Sequence, residues 1–107
     1  MFRAFTVTLP ADTNNHNLYA ALLAITGAIP TDGILVDRVN YLEIQADLAN
    51  ASTLTVNDEN YANTTGKVLN AGNVYNRQST RNTICLRDYY LQGGAASQKV
   101  EVTLESM

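Results

Sequence analysis

Cysteine occurs once, histidine once and tryptophan not at all in the 107 residues. The single Cys85 excludes an internal disulfide and a cysteine-rich zinc site. The single His16 excludes paired-histidine metal motifs. With 2 prolines and 6 glycines, the chain does not read as a low-complexity linker. Charged residues make up 16%, against an average of about 25%. No apolar run approaches the roughly 20 residues of a membrane span. No basic stretch followed by a long apolar run opens the chain, so neither a membrane partner nor a secretory leader is expected. A net charge of −3 and a pI near 4.8 argue against a nucleic-acid partner, which needs clustered Lys and Arg. No cofactor is expected either. Gly93-Gly94 stands alone, and no glycine-rich phosphate loop occurs.

What is present is uncharged polarity. Asn and Thr occur twelve times each. Thr favours strands, and Asn favours turns because its side chain bonds nearby backbone and tolerates positive φ. Such a surface hydrogen-bonds a partner without the cost of desolvating full charges. The plainer reading, a merely soluble surface, comes first on composition alone. The length fits one domain over residues 1–107, since domains typically run about 100–200 residues. Hydrophobic residues at 46% suffice for a modest core.

Phe5, Val7 and Leu9 alternate with Ala4, Thr6 and Thr8, which predicts a half-buried strand ended by Pro10. Asp12-Thr13-Asn14-Asn15 is rich in capping types, and Leu18, Ala21, Leu22 and Ile25 share one helical face. A short helix over about 16–26 is expected, with Gly27 at its C-terminal end. Pro30-Thr31-Asp32-Gly33 reads as a turn and Ile34-Leu35-Val36 as a short strand. A longer strand from Val39 to Leu48 would turn Leu42, Ile44, Ala46 and Leu48 inward. Further strands are expected at 53–56, 74–78, 83–87 continuing toward Leu91, and 99–105, with Val100, Val102 and Leu104 inward. Short strands spaced by turn signals give the fold class. It is mainly β, a single-domain antiparallel β-sandwich or barrel with one short N-terminal helix.

Few residues carry chemistry. His16 has no nucleophile or orienting acid beside it in sequence and reads as an exposed helix-entry residue. Cys85 lies in an apolar strand pattern and reads as a reduced structural cysteine. Asp58 and Glu59 lack calcium-loop spacing and read as a turn. No carboxylate pair is placed for acid–base work, so no catalytic residue, metal site or enzyme activity is expected. Arg77, Arg81 and Arg87 gather loosely and suit acids on a protein partner, or simply a solvated edge. Tyr89-Tyr90 in a strand sends one ring each way, so one fills the core and the other faces outward, either as an interface anchor or in a structural use of its own. Phe2, Arg3 and Phe5 lie on an N-terminal strand that could pair with another chain's edge, or simply within its own sheet.

The order of these motifs resembles the small capsid decoration (cement) proteins of tailed phages, with a compact β-sandwich or jelly-roll body. The resemblance rests on Asn17-Leu18-Tyr19-Ala20-Ala21-Leu22, Tyr41-Leu42-Glu43-Ile44-Gln45-Ala46 and Leu54-Thr55-Val56-Asn57-Asp58. It continues through Gly66-Lys67-Val68-Leu69-Asn70-Ala71-Gly72-Asn73, then 84–91 from Ile84 to Leu91, then Lys99-Val100-Glu101-Val102-Thr103. Asn57 stands where that pattern commonly has glycine, and Asn also tolerates the left-handed conformation. The resemblance implies a virion structural protein on the capsid outer surface, assembled in the host cytoplasm. It would bridge neighbouring copies of the major capsid protein, as a homodimer or homotrimer at a symmetry axis. Phe2, Arg3, Phe5, Tyr89 and Tyr90 would be its interface residues. The competing reading is a carbohydrate- or receptor-binding β-sandwich module of a head fibre or tail. Such modules lean on exposed aromatics, often Trp, which is missing here.

Overall fold

The computed structural model describes residues 2–25, 37–57, 66–94 and 97–106. Strict alternation builds the longest elements. In β1 (Phe2–Leu9) Val7 and Leu9 are buried and Phe5 packs on the core, while Ala4, Thr6 and Thr8 are exposed. In β4 (Tyr41–Ala46) the buried residues are Leu42, Ile44 and Ala46. In β10 (Gln98–Glu105) they are Gln98, Val100, Val102 and Leu104. These three strands and β7 (Val74–Gln78) form one antiparallel sheet in the order β1-β10-β4-β7. The second sheet has the order β2-β9-β5-β6, from Asn15–Asn17, Tyr90–Gln92, Leu54–Asn57 and Lys67–Leu69. Its Leu54, Val56, Leu69 and Leu91 are buried in the same core as the inner residues of the first sheet. A two-stranded piece pairs β3 (Arg38–Val39) with β8 (Ile84–Cys85).

The pairings are nested. β1 meets β10, β2 meets β9, β3 meets β8, β4 meets β7 and β5 meets β6, all antiparallel. The described chain is therefore one long two-stranded ribbon rolled onto itself, so that β10 also pairs β4 and β5 also pairs β9. With the short β3/β8 pair set aside, this is the strand order of a jelly roll. β1/β10 and β2/β9 keep one register, from Phe2↔Glu105 to Asn17↔Tyr90. Residues 10–14 separate β1 from β2, and the same number of residues separates β9 from β10, at the corner where the ribbon changes sheets. Ser97 Oγ donates to the Leu9 carbonyl at 2.7 Å and Gln92 Nε2 to that of Thr13 at 2.7 Å, tying this corner.

Helix α1 (Leu18–Ile25) closes the β1/β2 side of the sandwich. It is shorter than the expected 16–26 because residues 15–17 pair with β9 instead. Asn17 is its cap, with Oδ1 accepting the Ala20 N–H at 3.1 Å. Leu18 and Leu22 are buried, but Ile25 is 46% exposed. The expected Val39–Leu48 strand is interrupted at Asn40 and ends at Ala46. Asp47 turns the chain by accepting the Ala49 N–H at 2.8 Å, which leaves Leu48 81% exposed rather than inward. Gly72, at φ +84°, makes the facing turn, and a Cβ there would lie 2.7 Å from Leu48 Cδ2. The expected 83–87 strand stops at Cys85. The Leu86 N–H bonds the Asp37 carbonyl at 2.7 Å, and Leu86–Asp88 form a 3-10 turn. Gly27, Pro30 to Val36, Asp58 to Asn60 and the Thr64-Thr65 pair lie outside the described residues.

Candidate functional site

The sequence singled out five interface residues, and the fold distributes them. Phe2 pairs with Glu105 at the base of the ribbon. Arg3 is half-buried, and its Nε is buried without a hydrogen-bond partner among the described residues. Phe5 packs against the core. Tyr89 is the inward ring of its pair, only 8% exposed. Tyr90 is half-buried on the outer side of the second sheet, in register with Asn17 and Asn57. His16 is half-buried in β2 rather than exposed at a helix start, with Nε2 2.9 Å from Asp12 Oδ1. That bond, foremost, holds the Asp12 carboxyl below its usual range. Arg87 is committed to structure. Its Nε donates to Asp37 Oδ2 at 3.0 Å, and its guanidinium lies 4.2 Å from the centre of the Tyr19 ring. No group of three or more potential metal ligands occurs among the described residues.

Two concave regions flank the sandwich. On the α1 side, a groove of about 400 Å³ runs between the outer edge of β1 and the helix. Its walls are Thr6 to Pro10, His16, and Ala21, Ala24 and Ile25. In the described sheet β1 pairs only with β10, so its other edge presents backbone N–H and C=O groups beside an apolar helical wall. Next to it lies the outer face of the four-stranded sheet, bearing Thr6, Thr8, Thr103, Gln45 and Asn76 with Glu43, Glu101 and Lys99. Thr6 Oγ1 donates to Glu101 Oε2 at 2.8 Å, and Tyr41 Oη to Glu43 Oε1 at 2.8 Å, so part of this polarity is internally satisfied.

On the opposite side, where edge strands β6 and β7 approach, a cleft of about 380 Å³ opens between the sheets. Cross-strand register decides what faces it. Lys67 pairs with buried Val56 and Arg77 with buried Leu42, so both cations occupy core-facing positions at a sheet edge. Tyr75, Cys85, Asp88 and Tyr89 complete its polar wall. Arg77 Nη1 donates to Tyr89 Oη at 3.2 Å, and the Tyr75 and Tyr89 rings lie 6.2 Å apart, tilted by 60°. Burial first, then the neighbouring Tyr75 hydroxyl, push the Tyr89 phenol up to about 12, against the downward pull of Arg77. Arg77 is held above its usual range by Tyr75 and then Tyr89. Sequence reading missed Lys67 and Tyr75. Their only signal is a cation or phenol at an inward position, and that position follows from strand pairing.

Comparison with family models, with curated proteins and with solved structures finds no match for this chain.

Proposed function

We propose that the protein is a virion structural protein of the capsid-decoration type, binding the outer capsid surface and bridging neighbouring major capsid subunits. One observation carries the reading: among the described residues β1 has an unpaired edge alongside the α1 groove, next to the outer face of the four-stranded sheet. A strand or loop of a neighbouring subunit adds main-chain hydrogen bonds to β1 and lays apolar side chains against Ala24 and Ile25. The jelly roll recurs in viral coats, and this supports the reading only as fold-level analogy, since the same fold serves unrelated functions. Many equivalent contacts around a shell hold together although each is weak, because releasing one module leaves its neighbours attached. A dimer or trimer on a symmetry axis presents the same patch from each copy.

The test is co-sedimentation with expanded, undecorated shells assembled from the major capsid protein encoded with this chain. Deleting β1 is no test, because Val7 and Leu9 belong to the core. Ile25→Asp and Thr8→Lys alter exposed positions and should change stability by no more than about 0.5 kcal/mol. Stoichiometric binding by the wild type and a tenfold or greater loss in both variants are expected. Failure of the wild type to bind, or unchanged binding by both folded variants, overturns the proposal.

A further inference from the structure

We infer that the cleft between β6 and β7 is a binding site for an acidic sugar unit, a hexuronate, with Arg77 and Lys67 receiving its carboxylate and Asp88 its ring hydroxyls. This goes beyond the shell reading and does not depend on it. Three features of the cleft converge.

The first is charge. The protein carries −3 overall, yet among the described residues this cleft is lined by Lys67 and Arg77 against one carboxylate, Asp88. Among the described residues neither cation forms an ion pair, since the two pairs present are His16–Asp12 and Arg87–Asp37. A guanidinium presents a planar fork of donors that matches a carboxylate. The second is the hydrogen-bonding inventory. Tyr75, Tyr89, Thr83 and Cys85 offer neutral groups around the same space. Asp88 accepts from hydroxyls and repels a bare polyanion, so a ligand with one negative charge and several hydroxyls uses the whole wall. An amino acid would bring its ammonium to Asp88 but leaves the neutral groups of Tyr75, Thr83 and Cys85 with no hydroxyl to meet. The third is shape. About 380 Å³ lies at the small end of the roughly 300–1,000 Å³ of ligand pockets, which suits one sugar ring rather than a long chain.

Inward charges on edge strands also serve elsewhere to block edge-to-edge pairing. The two explanations part in solution. The experiment is titration of the full ¹⁵N-labelled chain with glucuronate at constant ionic strength, followed by amide shifts. Glucose, acetate, inorganic phosphate and glycine are the comparison ligands. Saturable shifts centred on Lys67, Tyr75, Arg77 and Asp88 are expected, with each comparison ligand at least tenfold weaker. Arg77→Gln should weaken glucuronate binding at least tenfold and Lys67→Gln measurably. Lack of saturation overturns the inference. So does acetate or phosphate binding as tightly as glucuronate, which marks a site for an adventitious ion only, and so does tighter binding of glycine. Unchanged glucuronate binding by folded Arg77→Gln overturns it as well. Should that variant fail to fold, unchanged binding by Lys67→Gln does so.

Discussion

Single side chains at the ends of short elements hold much of this fold in place. Asn17 caps α1 through Oδ1, while its Nδ2 donates to the Arg87 carbonyl at 2.8 Å. One amide thus joins β2, the helix and the 3-10 turn. Asn17→Ala removes both bonds and should cost about 1–2 kcal/mol, measured by urea denaturation. Tyr89 makes a second case through its proton. Its folded value of about 12 lies above the usual phenol value of about 10. Below pH ~10 both folded and unfolded chains keep this proton. Above that the unfolded chain releases it first, so stability falls as pH rises toward the folded value. Tyr89→Phe removes this contribution. It should therefore show a shallower loss of stability over about pH 10–12 than the wild type, read as Tm against pH.

Strand and helix elements differ in how far local sequence announces them. β1, β4 and β10 are legible because each alternates over six to eight residues against one core. β2, β3 and β8 are two or three residues long and have no periodicity to read. They exist because the ribbon brings a partner beside them. That partner also shortened the helix, since Asn15–Asn17 gain ladder bonds with β9 in place of a first helical turn. Leu48 continued the alternation of β4 in sequence, but the Asp47 turn ended the strand before it. The cleft was illegible for a related reason. Arg77 was visible only as one of three loosely grouped arginines, and its inward side appears only once β7 is registered on β4. The β5/β6 pair has a tight point of its own. A Cβ on Gly66 would overlap the Asn57 amide oxygen and lie 2.7 Å from Thr55 Cγ2. Gly66→Ala should therefore destabilise by about 1–3 kcal/mol, checked by chemical denaturation.

The molecule as a whole is one rolled ribbon, and its outermost pair, β1/β10, joins residues near both ends of the chain. Such pairing must close nearly the entire chain before it is rewarded. Refolding should therefore take about milliseconds to seconds, the range of sandwiches dominated by distant contacts, as stopped-flow fluorescence of the tyrosines would show. Among the described residues the two sides of the sandwich are unlike: α1 covers one, and Lys67 and Arg77 stand at the edges of the other. The register Phe2↔Glu105 has a mechanical corollary. Both ends leave the same corner, so tension applied between them peels β1 from β10 one rung after another rather than shearing all eight at once. A load stretched between the two ends would hence meet this ladder one pair at a time, whereas force entering through the β1 edge would be shared along its length.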